Sequence, residues 1–287
     1  MIGRVAILTP DPASDGYRTR WRDVLEVNAA PLRAAGLEVE ARAWTQATDL
    51  PDFDLVLPLL VWGYPFAPRQ WAEAVTGWEA AGVRLANPAP VLRWNADKTY
   101  LAALAARGAP VVPTIFADAL DEARLDAAAV SFGVARLVAK PQVSSTAWQT
   151  IRWAPGANLD GGPEGPAMIQ PYLPEIERSG EVSLIWFGGA FSHAIVKRPQ
   201  PGDFRVQPEF DGIIRAHEPA ADELDAAARV LAAVEEPLLY ARVDLVRGLS
   251  GAPELIELEL IEPDLYLRYE EHAGARLAAT AKELIRA

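Results

Sequence analysis

Runs of apolar residues alternate with amphipathic stretches of helical period over the first third of the chain. Strands are predicted over residues 4–8, 37–44, 53–61 and 83–86. Helices are predicted between them, over residues 69–81 and over residues 18–35, where Pro31 is expected to break or restart the helix. Because strands that alternate with helices are typical of parallel sheets, residues 1–92 are predicted to form a parallel-sheet domain. No G-x-G-x-x-G motif follows the first strand, so the phosphate loop of a dinucleotide-binding domain is missing.

The rest of the chain carries more strand signals than helix signals. Strands are predicted over residues 136–141 and 168–174, and a hairpin is predicted over 181–187 and 190–197. Amphipathic helices are predicted over residues 220–234 and 273–286. A further helix is predicted to open at Asn95, which can cap it, and to end at Arg107. Lys98 then lies in its first turn, where a cation opposes the helix dipole unless it faces an anion.

Acidic residues interrupt an otherwise apolar strand at residues 255–263. Because strand side chains alternate between two faces, Glu257 and Glu259 point to the same side. An upstream strand over residues 239–246 predicts a hairpin that brings Asp244 near both glutamates. Neighbouring carboxylates repel each other, and a bound Mg²⁺, which prefers carboxylate oxygens, relieves that repulsion. The alternative is an amphipathic hairpin whose charged face lies in water.

A polar loop over residues 142–150 follows the strand at 136–141. Lys140 stands at the end of that strand, and Ser144 and Ser145 lie in the loop. Serine hydroxyls and exposed backbone N–H groups can hold phosphate oxygens. An ordinary hairpin tip is the alternative interpretation, and the pattern of this loop by itself favours it.

The composition disfavours several classes of function. At 287 residues the chain suits two or three substructures, and a hydrophobic fraction of 51% indicates a globular protein. A formal net charge of -12 argues against a binder of nucleic acid or of anionic membranes. The absence of cysteine excludes disulfides and thiol catalysis, and the three histidines are not in metal-ligand spacing. No apolar run is long enough for a signal peptide or a membrane span, so a cytoplasmic protein is expected.

Seven short motifs follow one another along the chain. They are Asn95 with Lys98, Lys140-Pro141, Gln170-Pro171-Tyr172-Leu173, Gly180-Glu181, residues 199–205, Arg242-Val243-Asp244 and Glu257-Leu258-Glu259. In this order and spacing they resemble the ATP-grasp superfamily of carboxylate–amine ligases, over residues 87–267. The chain is most similar to the glutathione-synthetase-like group and, within it, to the D-cycloserine-forming cyclo-ligases that act on O-ureidoserine. That closer resemblance rests on residues 180–183, 191–194, 202–207 and 257–263.

The resemblance implies that eight residues bind ATP. They are Lys98, Lys140, Ser144, Ser145, Gln170, Tyr172, Leu173 and Glu181. The two lysines match those that neutralise the phosphates, and the two serines lie in the loop that covers them. The next three residues match the hinge whose backbone reads the adenine edge, and the glutamate matches the acid that binds the ribose hydroxyls.

The resemblance also implies a metal site and two catalytic cations. Asp244, Glu257 and Glu259 match the ligands of two Mg²⁺ ions, which Mn²⁺ can replace. Arg205 and Lys197 match the cations that face the transferred phosphoryl group and the acyl phosphate. Phosphoryl transfer needs positioned cations and metal more than a protein nucleophile, which agrees with a site that contains no cysteine.

The fold implied by the resemblance is an α/β ATP-grasp fold, in which two α+β subdomains clamp ATP. The expected divisions are a Rossmann-like substrate domain over 1–92, a lid subdomain over 93–167 and a metal-binding C-terminal subdomain over 168–287. A homodimer or homotetramer is implied as well. Two positions depart from the family pattern. Loop 142–150 has few glycines for a lid, and Glu259 replaces an asparagine that many relatives carry.

The implied reaction is ADP-forming. A small carboxylate or amino-acid-like substrate attacks the γ-phosphate to give an acyl phosphate, and an amine then displaces phosphate. The amine can belong to the same molecule, which gains the effective-molarity advantage of an intramolecular step. Two alternatives stay open from the sequence: an ATP-grasp phosphotransferase that releases a phosphorylated product, and a non-catalytic nucleotide-binding module.

Overall fold

A computed structural model of the protein describes residues 3–13, 20–145, 147–199 and 212–287, and its strands form three sheets. The first sheet has three parallel strands, and the other two sheets are antiparallel, with four and five strands. The predicted α/β class, with a parallel sheet first and two antiparallel helix-and-sheet units after it, is therefore confirmed. Within the described residues, no helix is long and apolar enough to cross a membrane.

The N-terminal sheet has the strand order β2-β1-β3. Its elements and the helices beside it are β1 (Arg4–Thr9), α1 (Arg20–Ala34), β2 (Glu38–Ala43), β3 (Leu55–Leu57), α2 (Pro68–Ala80) and α3 (Ala89–Asn95). β3 is shorter than the predicted strand because Pro58, which has no N–H to donate, follows it. The strand predicted over 83–86 is reduced to one parallel bridge between Leu85 and Val56.

The prediction that Pro31 breaks the first helix was wrong. Pro31 lies inside α1, three residues before its end. Its ring packs against Gly274 of the last helix, α8 (Ala273–Arg286), so closely that a Cβ at Gly274 would lie 2.8 Å from the Cβ of Pro31. Packing against α8 therefore compensates for the helix hydrogen bond that a proline cannot make.

The single helix predicted from Asn95 to Arg107 was also wrong. α3 ends at Asn95, and α4 (Tyr100–Ala106) begins after a short connection that contains Lys98. The Asn95 side chain does not cap a helix, because its amide group is hydrogen-bonded to the backbone of a distant strand. Lys98 consequently lies outside any helix, as the residue that precedes the N-cap of α4.

The four-stranded sheet has the order β4-β7-β5-β6. Its elements are β4 (Ile115–Ala117), α5 (Glu122–Phe132), β5 (Leu137–Pro141), β6 (Ile151–Trp153) and β7 (Ala167–Pro171). Helix α5 was not predicted, although its sequence contains both end signals. Asp121 caps its first turn by accepting a hydrogen bond from the Arg124 N–H at 2.8 Å, and Gly133 ends it in the left-handed conformation, with φ 67°.

The five-stranded sheet has the order β10-β9-β8-β11-β12. Its elements are α6 (Glu175–Arg178), β8 (Glu181–Phe187), β9 (Ala190–Arg198), β10 (Ile213–His217), α7 (Ala221–Ala232), β11 (Tyr240–Arg247), β12 (Pro253–Glu259) and α8. Both predicted hairpins, β8–β9 and β11–β12, are present. A register shift after Asp244 lets one extra residue, Ile256, enter β12 and still leaves Asp244 opposite Glu257.

The division of the chain at 92/93 and 167/168 stays a proposal. β7 begins at Ala167 and pairs with both β4 and β5, which belong to the four-stranded sheet. We therefore propose that the second boundary falls after β7, in the segment that leads to α6.

Candidate functional site

Three carboxylates meet where β11 and β12 lie side by side. Asp244 is opposite Glu257 in the register, and one ligand oxygen from each of Asp244, Glu257 and Glu259 lies within 4.8 Å of the others. Asp244 is fully buried, and the two glutamates are partly exposed. The hairpin thus brings Asp244 near Glu257 and Glu259, as the sequence predicted. Its charged face is only partly open to water, because Asp244 is covered by neighbouring side chains.

Two cations and a hydroxyl surround Asp244. Its carboxylate lies 2.9 Å from the Arg242 guanidinium and 3.4 Å from the Lys197 ammonium, and it accepts a hydrogen bond of 2.6 Å from Ser183. Burial alone would raise the pKa of Asp244, but the charges of Arg242 and Lys197 outweigh burial and hold that pKa below its usual value. Asp244 is therefore an anion that the fold holds in place.

Arg242 also binds Glu259 across the hairpin. Burial raises the pKa of Glu259 to about 7 although Arg242 opposes the shift, and the nearby carboxylate of Glu257 adds to it. Lys197 in turn pairs with Glu181, its register partner on β8. An alternating series of acids and bases therefore runs across the five-stranded sheet. Lys197 and Glu181 are therefore in direct contact, although the resemblance implies that one faces the acyl phosphate and the other binds the ribose.

Lys98 links the acidic cluster to the loop over residues 142–150. Its ammonium lies 3.3 Å from Glu257 and donates a hydrogen bond of 2.7 Å to the carbonyl of Ser144. Its backbone N–H donates to the carbonyl of Gln142 at 3.0 Å. The connection between α3 and α4 thus holds one end of the loop beside the carboxylates.

Lys140, on β5, faces the same space from the four-stranded sheet. Burial lowers the pKa of Lys140, Glu257 opposes that shift, and the positive charge of Lys98 adds to it. The chain contains only four lysines among its 27 basic residues, and Lys98, Lys140 and Lys197 are three of them. Lysine is therefore rare in this sequence except at the site, and this feature could have marked the site independently of motif spacing.

The predicted adenine hinge is built into the packing between the two antiparallel sheets. The Gln170 side chain donates to the Thr114 hydroxyl at 3.0 Å, and the Tyr172 N–H donates to the carbonyl of Arg136 at 2.9 Å. Leu173 is buried. Within the described residues, the backbone N–H of Leu173 donates to no protein group. That donor is therefore available to a ligand.

The loop over residues 142–150 lies against the N-terminal unit. Trp148 contacts Phe66 edge to face, with 5.6 Å between the ring centroids, and both side chains are exposed. Ala147 and Gln149, which flank Trp148, have positive φ angles of 56° and 50°. Such angles are unusual for residues other than glycine, so the loop turns tightly without the glycines of a typical lid. Ser145 accepts a hydrogen bond from the Trp148 N–H at 3.1 Å.

The outer edge of β12 is held by one backbone bridge, between Val111 and Leu255, and beyond it by side chains. The Asn95 amide donates to the carbonyl of Leu258 at 2.8 Å and accepts from the N–H of Leu260 at 2.9 Å. The hydroxyl of Tyr100 accepts from the N–H of Leu258 at 2.9 Å. These three bonds fix the backbone at Leu258 and Leu260, on both sides of Glu259.

Replacing Tyr100 with Phe is expected to lower the free energy of unfolding by about 1–3 kcal/mol, because the buried Leu258 N–H loses its acceptor. Chemical denaturation of the variant and the parent measures this difference. Tyr269→Phe is the matched control, since its hydroxyl makes no hydrogen bond within the described residues. Equal unfolding free energies for the two variants would contradict a role of Tyr100 in holding β12.

Arg205 lies outside the described residues, and its role stays a prediction. Arg242 contributes to the site, although the sequence analysis gave it no role. Strand alternation places it on the face of Asp244, but only the register across the hairpin reveals that it also reaches Glu259.

Known proteins match the chain in sequence and in structure. Residues 5–87 match the family model described as D-cycloserine synthetase DcsG, N-terminal domain. The cycloserine biosynthesis protein DcsG of Streptomyces lavendulae is 33% identical over 279 residues, which cover 88% of this chain and 91% of that protein. The crystal structure of D-cycloserine synthetase DcsG superposes with a TM-score of 0.82 at 28% identity, and the match covers 99% of this chain and 100% of that one.

More distant structures share the fold. D-alanine–D-alanine ligase from Bacillus anthracis matches with a TM-score of 0.72 at 16% identity, over 99% of this chain and 96% of that one. The ATP-grasp ligase PsnB, in complex with a phosphomimetic variant of its minimal precursor, Mg and ADP, matches with a TM-score of 0.67 at 15% identity, over 98% of each chain. At these identities the likeness shows the ATP-grasp fold alone.

Proposed function

The chain belongs to the DcsG family of ATP-grasp carboxylate–amine ligases, and on that premise we propose that it activates a small amino-acid-like carboxylate as an acyl phosphate and closes it into a cyclic amide. One observation carries this proposal. Three carboxylates and three of the four lysines of the chain converge on one site between two antiparallel sheets. That donor set suits a nucleoside triphosphate with divalent metal.

The three carboxylates fit Mg²⁺, because hard cations prefer carboxylate oxygens and these oxygens lie within 4.8 Å of one another. Asp244, Glu257 and Glu259 would hold two ions, which Mn²⁺ can replace. When bound, the metal neutralises charge on the transferring phosphoryl group. The additional charge of Glu259, where many relatives carry asparagine, is offset in this protein by its contact with Arg242.

The lysines and the loop would bind the phosphates. Lys98 already touches the carbonyl of Ser144, so a phosphate between this lysine and Lys140 would lie under loop 142–150, beside Ser145. Burial lowers the pKa of Lys140, and an anionic phosphate would favour its charged form. These contacts support the assignment of both lysines and both serines to nucleotide binding.

The adenine and the ribose would bind along the hinge and β8. The N–H of Leu173 is available as a donor to an adenine nitrogen. The side chain of Gln170 and the backbone N–H of Tyr172 hold the hinge in place through their own hydrogen bonds. Glu181 would accept the ribose hydroxyls. Because Glu181 shares Lys197 with Asp244, ribose binding would redirect Lys197 toward the phosphates.

The reaction would proceed in two steps. A carboxylate oxygen of the substrate attacks the γ-phosphorus of ATP and ADP leaves, and Lys197 and Arg205 are the proposed cations that balance the charge. A nitrogen of the same molecule then attacks the acyl carbon, phosphate leaves and the nitrogen releases a proton. O-ureidoserine is the proposed substrate, by analogy with the D-cycloserine synthetase. The site would favour ring closure by holding both groups of one molecule within reach.

ATP consumption with Mg²⁺ and a panel of small amino acids and carboxylic acids, O-ureidoserine included, tests this proposal in the presence of hydroxylamine. We expect ADP together with a hydroxamate of the activated acid. ADP with a phosphorylated product that hydroxylamine does not trap would support a phosphotransferase. Nucleotide binding without ADP formation on every acid would support a binding module, and either result would contradict the proposed function.

A further inference from the structure

Tyr64 is a partly exposed tyrosine that the steps above do not use. It begins a short 3₁₀ turn (Tyr64–Phe66) of the N-terminal unit, beyond the carboxyl end of β3. The carboxyl ends of parallel strands are the edge of such a sheet at which ligands bind. Within the described residues, the Tyr64 hydroxyl makes no hydrogen bond. Its O–H is therefore a donor that a ligand can use.

The Tyr64 ring is held in place before any ligand binds. It packs against Trp71 of α2, with 5.0 Å between the ring centroids, and shares an apolar cluster with Ile261. The backbone is fixed as well, since the Tyr64 N–H donates to the carbonyl of Val61 at 3.2 Å and its carbonyl accepts from the N–H of Ala67 at 3.0 Å. A side chain that is already ordered loses little entropy when it contacts a ligand.

The acidic cluster lies within electrostatic range of this phenol. Burial raises the pKa of Tyr64, and the negative charges of Glu262, Glu259 and Glu257, in that order, raise it further. Ile261, which packs in the same apolar cluster, comes two residues after Glu259. Tyr64, Glu257 and Glu259 are all partly exposed, so they border space that solvent reaches. The phenol therefore stays protonated and is a neutral donor near the metal site.

The loop over residues 142–150 contacts the same turn. Phe66, two residues after Tyr64, packs against Trp148 of this loop, and Ser144 at the other end of the loop accepts a hydrogen bond from Lys98. Lys98 in turn contacts the acidic cluster. The contacts thus run from the metal site through the loop to the turn that carries Tyr64, and this turn forms the wall of the site that belongs to the N-terminal unit.

We propose that the Tyr64 hydroxyl donates a hydrogen bond to the substrate carboxylate, at the oxygen that does not attack ATP. This inference rests on the proposed function and adds a catalytic residue to it. The reacting carboxylate must lie beside the γ-phosphate at the metal site, where a neutral donor does not disturb the balance of charge. Its second oxygen becomes the carbonyl oxygen of the acyl phosphate and gains negative charge when the nitrogen attacks, so the same hydrogen bond strengthens in that step. The phenol keeps its proton throughout.

Tyr64→Phe removes this hydroxyl and keeps the ring that packs against Trp71. Calorimetric titrations with a non-hydrolysable ATP analogue and Mg²⁺ compare O-ureidoserine with its carboxamide, in which a neutral amide replaces the carboxylate. We expect the variant to bind O-ureidoserine roughly tenfold to a hundredfold more weakly than the wild type does, the scale of a hydrogen bond to a charged group. The carboxamide should lose less, about twofold to tenfold, the scale of a bond to a neutral group.

Turnover gives a second readout of the same variant. Tyr64→Phe should lower kcat/KM for O-ureidoserine by at least the factor lost in binding and leave the KM for ATP within about twofold. Its thermal unfolding should match that of the wild type, because the hydroxyl has no partner within the described residues. Tyr269→Phe is the matched control, since it removes another hydroxyl that makes no hydrogen bond there. It should bind both ligands as the wild type does.

Equal losses for the two ligands in Tyr64→Phe, or no loss for either, would overturn the inference even if the enzyme forms ADP. Because binding is measured without turnover, the reaction can fail separately. A wild type that forms no ADP, but whose binding of O-ureidoserine is selectively weakened by Tyr64→Phe, would sustain the Tyr64 contact and contradict the proposed reaction. A wild type that binds neither ligand would overturn both.

Discussion

Glu257→Gln is expected to lower ATP turnover by about a hundredfold or more, the scale on which one preorganised charge stabilises a transition state. Glu257 is central to the site, because it lies opposite Asp244 and contacts Lys98 at 3.3 Å. The amide keeps the shape of the side chain but removes the negative charge that a divalent metal needs. Steady-state assays of ADP formation over a range of Mg²⁺ concentrations measure the effect.

The fold should survive this substitution, since Glu257 is partly exposed and Lys98 keeps its bond to the Ser144 carbonyl. Glu254→Gln makes the same chemical change on the same strand, away from the cluster, and should retain parental turnover. Turnover of Glu257→Gln near that of the parent, with an unchanged Mg²⁺ requirement, would remove the metal-site assignment.

Lys140→Met is expected to raise the KM for ATP by roughly tenfold to a hundredfold, because a charged hydrogen bond contributes about 1.5–3 kcal/mol. Methionine is similar in length and apolar, and burial already disfavours the charge of Lys140 in the free protein. The variant should therefore fold at least as well as the parent. Initial rates at varied ATP concentration, together with thermal unfolding, separate these two effects.

Lys282→Met is the control for a lost lysine charge, since Lys282 is on α8 and donates to the carbonyl of Ala35, away from the cluster. It should leave the KM for ATP unchanged. If Lys140→Met and Lys282→Met gave the same kinetics, Lys140 would not bind the phosphates.

Strand alternation predicted that the three acids converge, but it left open whether their face binds a metal or lies in water. The two-residue period of β11 and β12 places Asp244, Glu257 and Glu259 on one face, and the hairpin between the strands brings them together. The alternation of strands and helices likewise predicted the parallel N-terminal sheet. These features depend on local patterns, which a single sequence contains.

Features that depend on distant contacts were not predicted. The path of α1 through Pro31 depends on packing against Gly274, more than two hundred residues away in the sequence. The early end of α3 depends on hydrogen bonds from Asn95 to β12. The pairing of Lys197 with Glu181 depends on the register between two strands. Local propensity carries no information about such contacts.

The most direct test of carboxylate activation by ATP is isotope transfer from the substrate. O-ureidoserine labelled with ¹⁸O in its carboxylate is turned over with ATP and Mg²⁺, and the released phosphate is analysed by mass spectrometry. Attack of the carboxylate on the γ-phosphorus, followed by attack of a nitrogen on the acyl carbon, predicts ADP and one ¹⁸O atom in each phosphate. Unlabelled phosphate with ADP would mean that water attacks ATP, and AMP with pyrophosphate would mean adenylation. Either result would contradict an acyl phosphate at this site.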